Sequence, residues 1–183
     1  MNLEELGYTQ KWIEYKILDE KNFTSQLADY QNGRDENTEH YRYATLRNWI
    51  ENKINFSNYE INNFLEIITA EPDISMAGSA VKLLYLSSKI SEEQSRIIEK
   101  KFKLFGEWAV KLIDREAINR RLLQEELTHD LFIKTIEFGD HNLIRLMIYR
   151  TNNIAFLNEL NSNIYSKKIR NLASEKLKKL NLN

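Results

Sequence analysis

Cysteine is absent from the 183-residue sequence, and proline and glycine are scarce, with one and five occurrences. Without cysteine the chain has no disulfide framework, no thiolate nucleophile and no cysteine-ligated zinc. So few turn-forming residues argue against a β-protein, which needs many tight turns. No run of 18 consecutive apolar residues occurs, and the start, Met1–Leu6, is acidic rather than apolar. We therefore expect a cytoplasmic protein with no membrane span, no signal peptide and no membrane partner.

The size and composition fit one ordinary globular domain. Hydrophobic residues make up 42% of the chain and charged residues 29%, which is typical of folded proteins. A chain of this length buries roughly 70% of its unfolded surface, so it can fold without a metal or a disulfide. We predict a single all-helical domain over residues 1–183, with no cofactor and no metal.

Apolar residues recur at the spacing of helices rather than of strands. Ile61, Phe64, Leu65 and Ile68 follow the i, i+3, i+4, i+7 pattern of one helix face. Patterns of this kind, with their flanking residues, predict helices near 9–18, 20–32, 38–53, 58–71, 74–87, 92–105, 107–126, 129–138, 141–150, 153–161 and 166–180.

Start and stop residues agree with these helices. The segments Ser57–Glu60 and Ser91–Gln94 have the form of capping boxes, in which a serine and an acid or amide satisfy the first-turn amides reciprocally. Three glycines stand where helices end in a left-handed residue, at Gly33, Gly106 and Gly139. Short connections between the helices predict antiparallel hairpins.

Two segments, Asp73–Leu84 and Ser166–Leu177, share a longer pattern. Each has a helix cap, an apolar residue three positions later, an alanine four after that, and a leucine four further on. The pattern resembles the second helix of a HEAT or armadillo repeat, and Asp140–Met147 is a poorer third copy. The copies have no fixed period, and the arginine typical of these repeats occurs only at Arg170.

The resemblance implies helical hairpins stacked into an α-solenoid-like, HEAT-like superhelix. An irregular helical bundle is the alternative. Stacked hairpins of this type form an extended curved surface that usually binds protein or nucleic acid.

The charges are unevenly distributed along the chain. Residues 1–75 contain 7 Lys or Arg and 14 Asp or Glu, a net charge of −7, whereas residues 76–183 have a net charge of +6. Tyrosine and tryptophan are concentrated in the acidic part, and exposed aromatic residues among acids suit a protein-binding surface. The residues that we predict for this surface are Trp12, Tyr15, Asp35, Glu36, Glu39 and Tyr41.

Our leading hypothesis is a non-catalytic module that binds another protein. One concrete version is an immunity or inhibitor protein that masks a cationic toxin or enzyme, because an acidic surface with aromatic anchors attracts a basic partner.

Two alternatives remain. The first is a nucleic-acid-binding helical repeat that uses the basic residues Arg120, Arg121, Lys167, Lys168 and Arg170. The sequence pI of about 6.3 argues against it, because phosphate contacts dominate the affinity for nucleic acid. The second is an unrecognised enzyme, although we identify no catalytic residue, nucleophile elbow or phosphate-binding loop.

Overall fold

The structure is a computed structural model that describes residues 2–180. Within this range the chain contains no strand, and the prediction of an all-α fold is confirmed. Eleven α-helices are present among the described residues: α1 (Gln10–Glu14), α2 (Glu20–Gln31), α3 (Thr38–Asn52), α4 (Asn58–Thr69), α5 (Ile74–Tyr85), α6 (Glu92–Phe102), α7 (Glu107–Gln124), α8 (His129–Phe138), α9 (His141–Arg150), α10 (Ile154–Leu160) and α11 (Lys167–Leu180).

Two short 3-10 helices, Leu3–Leu6 and Lys103–Phe105, complete the helical elements of this range. None of the described helices is both long enough and apolar enough to cross a membrane. Met1, which opens the acidic start, and residues 181–183 lie outside the described residues.

The predicted helix starts are confirmed by hydrogen bonds. The Glu60 amide donates to the Ser57 hydroxyl at 3.2 Å, and the Ser57 amide donates to the Glu60 carboxylate at 2.9 Å. Ser91 and Gln94 form the second capping box in the same way. At the other end of a helix, Gly139 adopts a φ of 76° and terminates α8.

The first predicted helix is wrong in its extent. We expected it near 9–18, but α1 ends at Glu14, and the chain turns at Lys16, whose φ is 54°. The turn directs Ile17 and Leu18 into the interior, where they are 6% and 2% exposed. Burial of these two side chains therefore overrides the helical spacing of the sequence.

The chain divides into two compact units, Met1–Ile113 and Asp114–Asn183, and the division falls inside α7. The units carry net charges of −4 and +3. The charge difference between them is thus smaller than the difference between residues 1–75 and 76–183. The prediction of one domain over residues 1–183 stays a prediction.

In the first unit, α3 packs on α5, and α4 packs on both α5 and α6. The apolar positions of the repeat-like pattern in α5 lie in this core, with Met76, Ala80 and Leu84 at 5%, 0% and 0% exposure. A Cβ atom at Gly78 would lie 3.1 Å from Leu112 Cδ2, so the small residue permits close packing on α7. The small residues of α5 therefore serve tight helix contacts.

In the second unit, α8 packs on α9, and α11 packs on both α9 and α10. The equivalent pattern positions are buried here as well, with Leu143, Met147, Ile169 and Ala173 between 0% and 4% exposed. The three copies of the pattern thus mark the buried faces of α5, α9 and α11.

A buried ion pair between Arg42 of α3 and Glu71 of the α4–α5 loop joins three segments of the first unit. Arg42 Nη2 lies 2.8 Å from Glu71 Oε1, Arg42 Nε lies 2.9 Å from Glu71 Oε2, and the side chains are 5% and 2% exposed. Arg42 Nη1 also donates to the Leu6 carbonyl at 2.8 Å and to the Thr38 hydroxyl at 3.0 Å. The bidentate geometry and the extra acceptors offset the desolvation of both charges.

Replacing Arg42 with methionine should lower the free energy of unfolding by about 3–5 kcal/mol, because the Glu71 carboxylate would stay buried without its partner. The Arg42→Met/Glu71→Met double variant should recover most of that loss. Arg47→Ala is the matched control, since the Arg47–Glu51 pair is exposed, and its loss should be at most about 0.5 kcal/mol. Urea denaturation followed by circular dichroism measures all three. Equal losses in Arg42→Met and Arg47→Ala would contradict this role of the buried pair.

Candidate functional site

The loop between α2 and α3 brings predicted site residues together. The Asp35 carboxylate accepts a hydrogen bond from the Asn37 amide at 2.9 Å and lies 2.7 Å from His40 Nδ1. The Tyr41 hydroxyl donates to the Asp35 carbonyl at 3.2 Å, and the Tyr41 ring packs edge-on against Tyr30 with the centroids 6.3 Å apart. Side chains of α3 therefore hold the loop through Asp35.

Glu36 and Glu39 flank this network without joining it. Glu36 is exposed and Glu39 is half-buried. Within residues 2–180, neither carboxylate forms an ion pair or a hydrogen bond. We call Asp35, Glu36, Glu39 and Tyr41 the acidic corner. It carries two carboxylates that are available to a partner, one on the α2–α3 loop and one in the first turn of α3.

The charges of the acidic corner affect the titration of His40. The hydrogen bond to Asp35 raises the pKa of His40 above its ordinary value, and the negative charges of Asp35, Glu39 and Asp73 act in the same direction. The pKa of Asp35 is lowered, by the hydrogen bond from the Asn37 amide and then by the bond to His40. His40 therefore gains a proton more readily than an isolated histidine.

Trp12 and Tyr15, the other two residues predicted for this surface, lie elsewhere. The prediction that Trp12 belongs to the binding surface is wrong. Trp12 is 3% exposed and packs edge-on against Tyr8 with the ring centroids 4.9 Å apart, so a partner cannot reach it. Tyr15 is half-buried, and its hydroxyl donates to Glu66 of α4 at 2.5 Å, beside the ion pair of Glu66 with Lys11. The hydrogen bond to Glu66 raises the pKa of Tyr15 to about 12.

A groove follows the face that α3 and α5 share, and sequence reasoning missed it. It consists of two adjoining cavities of about 350 and 540 Å³, both of which Tyr43 and Ser79 line. Glu39 and Asp73, at the starts of α3 and α5, line the smaller cavity, and Lys89, beyond the end of α5, lines the larger one. The starts of both helices thus meet at the same end, so α3 and α5 run parallel. We call this feature the α3–α5 groove.

The sequence contains a signal for the groove, but it is weak. Four of the fourteen lining residues follow helical spacing opposite the buried face: Ser75, Ser79 and Lys82 of α5 and Leu86 directly after it. Such a stripe of polar and apolar residues does not differ from an ordinary solvated helix face. Asp73 was recognised from the sequence only as a helix cap, a role that the structure confirms through a bond from the Met76 amide at 2.6 Å.

The basic residues predicted for nucleic acid do not form one exposed stripe. The prediction that Arg120 contacts nucleic acid is wrong, because Arg120 is 6% exposed and lies four residues after the buried Glu116 on the inward face of α7. Arg121 is ion-paired with Glu125 at 3.0 Å and with Asp130 at 3.5 Å. These pairs leave less of its charge for a phosphate.

The remaining three basic residues lie at the start of α11. Lys167 and Lys168 are exposed, whereas Arg170 is half-buried and donates to Asn163 at 2.6 Å. Two of the five predicted cations are therefore exposed and have no ion-pair partner within residues 2–180.

The described residues contain no group of three or more His, Cys, Asp or Glu side chains that could hold a metal ion. Comparison of the chain with protein-family models, with curated proteins and with solved structures gives no match. The candidate site therefore depends on the geometry of the acidic corner and the groove alone.

The Asp35–His40 pair predicts a measurable pH dependence. The pKa of His40 in an NMR titration should lie above the ordinary histidine value and should fall in Asp35→Asn, because that variant loses the hydrogen bond and the charge. The stability from the raised pKa of His40 is fully present below the ordinary value and is lost as the pH rises through the raised value. The stability from the lowered pKa of Asp35 is lost as the pH falls through it.

Glu36→Gln is the matched control for this titration. Glu36 belongs to the same loop but makes no hydrogen bond with His40, so its replacement should leave the pKa of His40 nearly unchanged. If Asp35→Asn and Glu36→Gln have the same effect, the pair does not determine the titration of His40.

Proposed function

We propose that this protein is a non-catalytic module that binds a cationic partner protein through the acidic corner. The observation that supports this best is the position of Glu36 and Glu39, two carboxylates without an intramolecular partner among residues 2–180. Glu36 lies in the α2–α3 loop and Glu39 in the first turn of α3, and the bonds of Asp35 with His40 and Tyr41 hold this junction in place. Because the backbone that carries these carboxylates is already held in place, binding costs little backbone freedom.

The sign of the charge indicates the class of partner. The unit that contains the acidic corner has a net charge of −4, which accelerates encounter with a basic protein and disfavours acidic ones. Tyr41 adds a rigid ring beside the carboxylates. An immunity or inhibitor protein that masks a cationic toxin or enzyme in the cytoplasm is the concrete version of this proposal.

A HEAT-like stack of hairpins is the fold that we propose to carry this surface. In such a stack each helix contacts the equivalent helix of the next hairpin and runs parallel to it. The packing of α3 on α5, α4 on α6 and α9 on α11 supports this arrangement, as do the parallel directions of α3 and α5. Ala80 and Ala173, the alanines of the repeat-like pattern, have no exposed surface.

Nucleic-acid binding is less well supported. It would depend on Lys167 and Lys168, since Arg120 is buried and Arg121 is paired with two acids. Two cations give a small electrostatic contribution compared with the six to ten phosphate contacts of typical binding proteins.

Capture of the partner from a lysate of the source organism tests the proposal. The tagged full chain should retain a nuclease-resistant protein partner, and Glu36→Lys/Glu39→Lys should reduce the recovery by roughly tenfold, because two attractions become repulsions. Recovery should also fall with increasing ionic strength. Quantitative mass spectrometry of the retained proteins measures the effect.

Lys167→Glu/Lys168→Glu is the matched control, with two charges reversed in the second unit. This variant should retain the partner as the unchanged protein does. Recovery that disappears on nuclease treatment, or that depends on Lys167 and Lys168 instead, would favour nucleic-acid binding and contradict the proposal.

A further inference from the structure

We propose that the α3–α5 groove is the docking site for an amphipathic helix of the partner protein, basic at one end, apolar in the middle and acidic at the other. This inference rests on the proposed protein-binding function and specifies the segment that the partner presents. Glu39 links the two, because it belongs to the acidic corner and also lines the groove.

The length of the groove suits a short helix. Its lining extends along α3 from Glu39 to Glu51, which corresponds to about 18 Å at 1.5 Å per residue. A partner helix of about 12 residues, or three turns, has the same length. Two parallel helices also leave between them the furrow into which a third helix packs.

The charge at the start of the groove is negative. Glu39 and Asp73 line this end, and Asp73 Oδ1 also accepts the Met76 amide at the start of α5. His40 lines the same end, but its ring is held by the Asp35 carboxylate at 2.7 Å. A lysine or arginine of a partner is therefore the side chain that this end attracts.

The charge at the opposite end is positive. Lys82 and Lys89 line it, and Lys89 Nζ donates to the Ile50 and Glu51 carbonyls at 2.9 and 2.6 Å, which holds the ammonium in place. The carboxylate of Glu51 is paired with Arg47 at 2.7 Å. An acidic side chain of a partner fits this end, so the groove has a fixed polarity.

The middle of the groove is apolar and shallow. Tyr43, Leu83 and Leu86 are half-buried there, above the fully buried Ile50. Ser79 is the small residue at the centre, shared by both cavities, and it lets an apolar side chain approach closely. Leucines at i, i+3, i+4 and i+7 of a partner helix would cover this strip.

Selection from a peptide display library against the full-length protein tests the inference. The library holds peptides of about 14 residues with leucine at i, i+3, i+4 and i+7 and random residues at both ends. Binders should be enriched in Lys or Arg at one end and in Asp or Glu at the other. Their affinities are then measured by fluorescence anisotropy on the unchanged protein and on variants.

Three variants distinguish the groove from the rest of the acidic surface. Ser79→Phe fills the centre of the groove at an exposed position and should weaken binding by roughly tenfold or more. Glu39→Lys reverses the charge at the negative end and should weaken it about tenfold. Glu14→Lys is the matched control, since Glu14 is an exposed acid of the same unit that lines neither the groove nor the acidic corner, and it should change the affinity by less than about twofold. Circular dichroism confirms that each variant is folded.

Several results would contradict the proposal that a partner helix docks in the groove. These are a selection without binders, binders that lack a basic end, and binding that survives both Ser79→Phe and Glu39→Lys. Self-association in analytical ultracentrifugation that Ser79→Phe abolishes would show that a second copy of the chain, rather than another protein, occupies it.

The proposed function fails by different results. A partner captured from lysate that depends on Glu36 and Glu39 but tolerates Ser79→Phe would overturn the groove and leave the protein-binding function standing. A capture that disappears on nuclease treatment would overturn the function itself, whatever the selected peptides do.

Discussion

The buried ion pair of Arg42 and Glu71 is the constraint on which the first unit depends. It connects the second turn of α3 to the loop that precedes α5, and Glu71 also accepts a hydrogen bond from the Asp73 amide at 3.1 Å. The starts of α3 and α5 are thereby held at the same end, which places Glu39 beside Asp73. The same arginine explains Gly7, since a Cβ atom there would lie 2.4 Å from Arg42 Nη1 and the residue has a φ of 73°. Glu39 and Asp73, which are distant in sequence, thus line the same cavity because the buried Glu71 ties the loop before α5 to α3.

Local interactions are the part of this fold that the sequence predicts well. The capping box of Ser57 and Glu60 involves residues three positions apart, so its geometry does not depend on the rest of the chain. The exception is α1, where a left-handed Lys16 ends the helix early. That conformation is favoured only because Ile17 and Leu18 become buried, and the packing that buries them involves residues far away in the sequence.

Which charges face a partner depends on tertiary packing. From the sequence, Glu71 counts toward the negative charge of residues 1–75, and Arg120 is one of the predicted nucleic-acid contacts. In the structure the Glu71 side chain is 2% exposed and Arg120 is 6% exposed. Trp12 likewise stands among polar residues in the sequence and is core in the structure. A charged or aromatic residue on an amphipathic helix has the same kind of sequence neighbours whether it is buried or exposed. Its burial therefore depends on which helices pack beside it.

The α3–α5 groove places charges of opposite sign at its two ends, and this arrangement would determine which partner it recognises. Net charge describes long-range attraction, but specificity requires charges at fixed positions that oppose the wrong partner as well as attract the right one. Glu39 and Asp73 at one end and Lys82 and Lys89 at the other would repel a helix inserted in the reverse direction. The apolar strip between them would contribute most of the contact area but would not fix the orientation of the partner helix. The charged ends would fix that orientation although they contribute little area. A module that binds through the proposed groove would select a partner by the order of charges along a helix, a property that neither the composition nor the pI of the chain reveals.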